Sequence, residues 1–200
     1  AAIVASIEDG AAPIPEPQLQ ERIDRARELS TLRCTTALTE AVGASCGSLV
    51  CVGTPLGDDG KLDETDLIGA CEAIARAVPQ GREHVIVIRS TVSPGTHARL
   101  SAHLRGVLGD SFGARVTLAL NPEFLREGSA VADLEDPQLI VYATEHGPAA
   151  RFCEELYAGH PTRLVRTDPA TSEMLKLVNN AWHALKVAFA NEVARVAAPA

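Results

Sequence analysis

Four polar side chains at helical spacing stand out in SEMLKLVNNAWHALKVAFANEVARVA, residues 172–197: Lys176, Asn180, His183 and Asn191. At about 100° per residue these four, with Val187, fall within an arc of roughly 80°. Around most of the remaining surface lie Met174, Leu175, Leu177, Val178, Trp182, Leu185, Val193 and Val196, so the helix is apolar nearly all round and is expected to be largely covered by protein. A buried ammonium, amide or imidazole without a partner costs on the order of 1–3 kcal/mol. The stripe is therefore either a solvated face or the polar wall of a ligand cavity.

Three further stretches carry groups able to do chemistry. In LNPEFLREGSA (120–130) a short helix is expected, capped by Asn121 with Pro122 in its first position. Glu123 and Glu127 would then lie at i and i+4, where like charges repel by a few tenths of a kcal/mol. In IRSTVSPGT (88–96), Ser90 and Thr91 end an apolar run just before Pro94 and Gly95. In VCVGTP (50–55), Gly53 lets a ligand approach the backbone and Thr54 and Pro55 follow it. Hydroxyls in such places are also ordinary turn formers.

The elements that must position these groups alternate along the chain. Apolar, β-rich runs lie at 48–53, 84–90, 115–120 and 138–143, with a weaker one at 162–166. Helical patterns fall between them at 17–29, 63–78, 95–107 and 147–157, the second opened by Asp63 as cap. This alternation predicts an α/β fold with a parallel, doubly wound sheet covered on both faces. Ligands of such sheets bind at the carboxyl ends of the strands, where the three stretches fall. RTDPATSE (166–173) is the one boundary, dividing residues 1–166 from a second domain that the long helix begins at 167–200.

Composition narrows the partners. A net charge of −8, no basic run, and four Phe, two Tyr and one Trp argue against nucleic acid. No apolar run is long enough for a membrane span and AAIVASIEDG lacks the pattern of a signal peptide, so a cytoplasmic protein is expected. Five cysteines without a Cys-x-x-Cys pair predict reduced thiols, all of them small buried hydrophobes, and no metal site.

VGTP, RSTVSPGT, NPEFLREGSAVADLEDPQLIVYA and SEMLKLVNNAWHALKVAFANE, in this order and spacing, resemble the UDP-glucose/GDP-mannose dehydrogenase family, and IEDGAAPIPEPQLQERI with LRCTTALTEAV is similar to its stretch after the second strand. The resemblance implies a Rossmann-like NAD-binding domain over 1–166, followed by the start of an all-α central domain. It also implies oxidation of the C6 alcohol of a nucleotide sugar to a carboxylate, in two hydride transfers to NAD through a cysteine-bound thioester, for polysaccharide synthesis. Carried over by motif, Gly53, Thr54, Pro55, Ser90, Thr91 and Glu127 would line NAD, with Thr91 also holding a catalytic water. Glu123 would assist thioester hydrolysis, Glu123, Phe124, Leu125, Arg126 and Glu127 would contact the sugar, and Lys176 with Asn180 would act on the reacting hydroxyl. His183 and Asn191 resemble the substrate contacts of GDP-mannose members, and pairing of two copies through the long helix is expected.

The departures are as specific as the matches. No strand followed by G-x-G-x-x-G and an acidic residue is present, and no cysteine has the Gly-Gly-Ser-Cys setting of the family nucleophile. The chain is therefore expected to be an inactive fragment of a longer enzyme. Two other readings stand beside this one: a single-step β-hydroxyacid dehydrogenase using Lys176 and Asn180, and a non-catalytic nucleotide-binding or dimerising module.

Overall fold

The computed structural model describes residues 2–198. Three helices come first, α1 (Ala2–Glu8), α2 (Leu19–Glu28) and α3 (Leu38–Gly43). They lead into β1 (Gly47–Val50), α4 (Thr65–Ala77), β2 (His84–Ile88), α5 (Thr96–Leu108), a distorted turn α6 (Ser111–Ala114) and β3 (Val116–Leu120). The chain continues through α7 (Ala130–Glu135), β4 (Ile140–Ala143), α8 (Gly147–Leu156), β5 (Leu164–Thr167) and α9 (Pro169–Ala197). Asp63 stands just ahead of α4, its Oδ1 accepting the Thr65 N–H at 2.9 Å, which is the capping bond its residue type predicts.

The five strands lie in chain order, β1-β2-β3-β4-β5. β1, β2 and β3 are parallel, as are β4 and β5, but β4 runs antiparallel to β3. The sheet is thus mixed, where the alternation of elements predicts parallel strands throughout. A parallel step needs a crossover that carries the chain back along the sheet. Residues 121–139 hold only the six-residue α7 and make no such return.

β2 and β3 are buried at every position, as expected for strands covered on both faces. On one face α4 and α5 bury Leu67, Cys71, Ile74, Leu100 and Leu104 against Ile86, Ile88, Leu118 and Leu120. On the other, α8 places Ala149, Ala150 and Cys153 against Val85, Val87, Ala119 and Tyr142. Phe152 of α8 comes so close to β1 that a Cβ at Gly47 would sit 2.4 Å from its ring. A side chain at Gly47 would require the Phe152 ring to move. Cys71 and Cys153 are buried, their thiols pushed up by desolvation to about 12 and about 11, whereas Cys34 is half-buried and Cys46 and Cys51 are exposed, against the expectation of burial. Cys51 follows the last residue of β1 and so leaves the core.

α9 begins with Asp168, whose Oδ1 accepts the Thr171 N–H at 2.9 Å, and with Pro169 in its first turn. Its base is anchored at Glu173, 3% exposed, which accepts the N–H of Gly95 at 2.6 Å and of His97 at 2.7 Å. Those are donors of the first turn of α5, which has no cap side chain of its own. Gly95 has φ 86°, the left-handed conformation that turns the chain into the helix. Glu64 holds the same turn, accepting from the Ser93 N–H at 2.8 Å, Thr96 Oγ1 at 2.6 Å and Arg99 Nη2 at 2.8 Å. From Asn180 onward α9 is exposed, because it runs beyond the sheet and, apart from the cavity edge at His183, no element among the described residues covers it. The described residues therefore leave its apolar surface open.

Glu173→Ala removes a buried acceptor from two backbone N–H groups, each worth about 1.5–3 kcal/mol when the acceptor is charged. Urea denaturation of the variant should show a loss of about 3 kcal/mol, and an unchanged midpoint would contradict the anchoring role.

Candidate functional site

The carboxyl ends of β1, β2 and β3 and the base of α9 converge on one region. Lys176, 6% exposed, donates to Glu123 Oε1 at 2.8 Å, and its ammonium lies 5.6 Å from the centre of the Phe124 ring. Ser90, Pro122, Ser172, Glu173 and Lys176 enclose a space of about 10 Å³ behind this pair. Ser172 Oγ is buried there without a hydrogen-bond partner among the described residues.

The two hydroxyl-bearing loops are stitched to each other. Thr54 Oγ1 donates to the Thr91 carbonyl at 2.7 Å and Ser90 Oγ to the Val52 carbonyl at 2.7 Å. Both hydroxyls shape the strand ends. Thr91 Oγ1 makes no hydrogen bond to the described residues, and Gly53 is exposed with nothing within 4 Å of where a Cβ would stand.

Residues 121–126 are irregular, so the predicted helix beginning at Asn121 is absent and Glu123 and Glu127 do not share a helix face. The reason is the use Asn121 finds for its side chain. Only 1% exposed, it donates to the Val141 carbonyl at 2.7 Å and accepts from Arg89 Nη1 at 2.6 Å and the Tyr157 hydroxyl at 2.5 Å. These bonds tie the end of β3 to β4, β2 and the end of α8. Glu123 Oε2 instead accepts the Leu125 N–H at 2.6 Å, and Arg126 grips Asp133 through Nη2 at 2.6 Å and Nε at 3.0 Å. That grip holds the Asp133 carboxyl well below the usual range.

Beside the Lys176–Glu123 pair lies a cavity of about 230 Å³, lined by Arg89, Asn121, Phe124, Tyr157, Asn179 and His183 among others. Arg89 is half-buried there and meets only the neutral Asn121 and Tyr157 side chains among the described residues. Cys51 stands within its field: desolvation raises the thiol, Arg89 opposes this, Glu123 reinforces it, and the net shift is upward. A group so held is a thiol and not a ready nucleophile.

The polar stripe of α9 is divided. Lys176 is buried, Asn179 is half-buried at the cavity, His183 borders the cavity while exposed to solvent, and Asn180 and Asn191 are exposed. Asn191 stands about 22 Å along the helix axis from Lys176, since each residue rises about 1.5 Å. Glu127 is exposed on the loop rim. Arg89, Asn121, Tyr157 and Asn179 join the site without having been singled out for it. Arg89 had a signal: a charge closing the run VIVI is out of place unless something meets it. Among the described residues no group of His, Cys, Asp and Glu is arranged to hold a metal ion, and no helix is long and apolar enough to cross a membrane.

Comparison with known proteins places this geometry. Residues 1–160 match the profile of the UDP-glucose/GDP-mannose dehydrogenase family, NAD binding domain. GDP-mannose 6-dehydrogenase of Azotobacter vinelandii is 38% identical over 199 residues, 98% of this chain and 46% of that protein. A ternary complex of GDP-mannose dehydrogenase from Pseudomonas aeruginosa superposes with a TM-score of 0.92 at 34% identity, covering 98% of this chain and 46% of the other. UDP-glucose dehydrogenase of Pyrobaculum islandicum gives 0.89 at 34% identity, with 98% and 45% covered. The chain thus spans about half the length of the relatives it matches.

The two members of the central ion pair differ in exposure, 8% for the Lys176 side chain and 30% for that of Glu123. Glu123→Met strands a buried ammonium, whereas Lys176→Met leaves a carboxylate that water can reach. The first should cost about 2 kcal/mol more than the second in chemical denaturation. Equal losses would show that the pair is no more buried at one end than at the other.

Proposed function

The chain belongs to the UDP-glucose/GDP-mannose dehydrogenase family, and from that membership we propose that the protein containing it oxidises the C6 alcohol of a nucleotide sugar to the carboxylate with NAD. The observation that carries this reading is the Lys176–Glu123 pair, a cation and a carboxylate in contact at the carboxyl edge of the sheet beside Ser90. The reaction would supply a uronic acid for polysaccharide synthesis in the cytoplasm. In this reading residues 1–166 are the dinucleotide-binding domain and 167–200 open the helical one.

The residues present fit one end of NAD: Gly53 leaves the backbone open and Thr91 has a hydroxyl to offer. Gly53, Thr54 and Pro55 would line the dinucleotide, and Ser90 and Thr91 would sit beside the nicotinamide, with Glu127 assigned to that end from its loop. When bound, NAD supplies the hydride acceptor. The substrate hydroxyl would lie against Lys176, whose ammonium spends one N–H on Glu123 and keeps the others for an alkoxide as it forms. A cation at 8% side-chain exposure acts on that charge with little screening by water. Glu123 would take a proton from the water that hydrolyses the acyl intermediate of the second stage. Arg89, unpaired by any carboxylate among the described residues, would meet a phosphate group.

GDP-mannose is the proposed substrate. His183 places an imidazole in the cavity about 10 Å along the helix from Lys176, where an extended nucleoside diphosphate would pass, and Asn180 and Asn191 extend the same line. In the full protein, Lys176→Ala should lower kcat about a hundredfold, ~3 kcal/mol, as for other lost contacts to a developing charge. His183→Leu should raise KM for GDP-mannose more than it lowers kcat. Initial-rate kinetics with both sugar nucleotides check this. An unchanged kcat in Lys176→Ala would contradict the role of the lysine, and faster oxidation of UDP-glucose would contradict the choice of sugar.

We also propose that two copies pair through α9. Trp182, Leu185 and Phe189 are 56%, 59% and 69% exposed. An apolar patch of this kind marks an interface. Sedimentation should find a dimer, and Leu185→Glu with Phe189→Glu should yield folded monomers; a monomeric parent protein would contradict the pairing.

A further inference from the structure

Glu16 lies in the turn that precedes α2, far in sequence from every site residue, yet its carboxylate reaches the site loop. Oε2 accepts the Gly128 N–H at 2.9 Å and Oε1 the Ala130 N–H at 2.8 Å. The same N-terminal segment makes a second link to this region, an ion pair between Arg22 of α2 and Glu135 of α7. Gly128 has φ 82° and ends the irregular stretch that carries Glu123 and Phe124. It is the residue in that stretch with most freedom to turn elsewhere.

The internal bonds of the loop run from there back to the site. Arg126 and Ser129 converge on Asp133, and the Leu125 N–H is held by Glu123, whose other oxygen meets Lys176. Gly128 is exposed and Ala130 half-buried, so water can replace a lost acceptor at either. Losing the Glu16 carboxylate therefore threatens the single course of the loop more than the stability of the fold. A backbone without fixed partners reverts to many conformations.

We infer that Glu16 is a positioning residue: by holding Gly128 and Ala130 it sets the course of residues 123–128, and through Leu125 it sets the Glu123 carboxylate against Lys176. This deepens the function proposed above and rests on it only for its kinetic consequence. A static cap on α7 would hold its own two N–H groups and nothing beyond them. A positioning residue would be felt at Leu125.

Amide hydrogen exchange in the full protein separates these. In Glu16→Ala, exchange at Gly128 and Ala130 should rise about tenfold or more, the scale of a lost charged acceptor. Exchange at Leu125 should rise with it, while amides of β2 and β3 stay unchanged. Glu16→Gln keeps one acceptor oxygen and should fall between, and it carries the test if the alanine variant does not fold. With nucleotide sugar and NAD, KM should rise severalfold in Glu16→Ala and recover in part in Glu16→Gln. Exchange that changes only at Gly128 and Ala130, or nowhere, overturns the inference, as does faster exchange at Leu125 with unaltered kinetics. A parent protein that turns over no nucleotide sugar defeats the proposed reaction instead, and exchange at Leu125 then decides the role of Glu16 alone.

Discussion

The seat of α9 depends on one buried carboxylate. Glu173 receives the Gly95 and His97 N–H groups, and so welds the long helix to the turn that follows β2. Lys176 stands one turn further along the same helix, and only with the helix so seated does its ammonium meet Glu123 from the turn after β3. The interaction is strong because both partners need it. The first turn of α5 has N–H groups without helical acceptors and a positive field, and the carboxylate, out of water, needs donors. A helix held only by apolar contacts could slide or roll by an ångström. A carboxylate received by two convergent N–H groups resists both.

The same device recurs along the carboxyl edge. Glu64 clamps residues 93–99, Glu16 clamps residues 128–130, and Asp133 clamps Arg126. In Glu64 burial favours the neutral carboxyl, but hydrogen bonds from Thr96, Ser93 and Arg99 outweigh it and hold the group below the ordinary glutamate range. Part of the acidic surplus that gives a net charge of −8 is thus turned inward onto backbone N–H groups. A site made of irregular segments gains order this way without regular secondary structure. Asn121 does the same with a neutral side chain, joining β2, β3, β4 and α8 through Arg89, Tyr157 and Val141.

Much of this was legible in the sequence. Apolar runs locate β2, β3 and β4 because a strand covered on both faces has little room for polar residues, whereas the half-exposed β1 and β5 give weaker runs, and Lys176 is conspicuous because an ammonium is costly on an apolar helix. Strand direction was not legible at β4, since it depends on whether residues 121–139 cross the sheet, which composition does not reveal. Asn121 followed by Pro122 carries a helix-start signature, but the amide that would cap a helix is equally able to join distant elements, and here tertiary bonds win. Glu16 and Glu173 were invisible as clamps because a carboxylate's partners were backbone groups far along the chain. Periodicity shows that α9 has apolar faces; it does not say which molecule covers them.

The central claim is that Lys176 and Glu123 serve one site where an alcohol is taken through to a carboxylate. The most direct measurement is the amount of NADH formed per GDP-mannose consumed by the full protein under limiting sugar nucleotide. Two NADH per sugar is the expected result, because in the proposed reaction the aldehyde would be oxidised before release. One NADH per sugar, with an aldehyde or ketone accumulating, would contradict it and point to a single-step dehydrogenase built on the same helix.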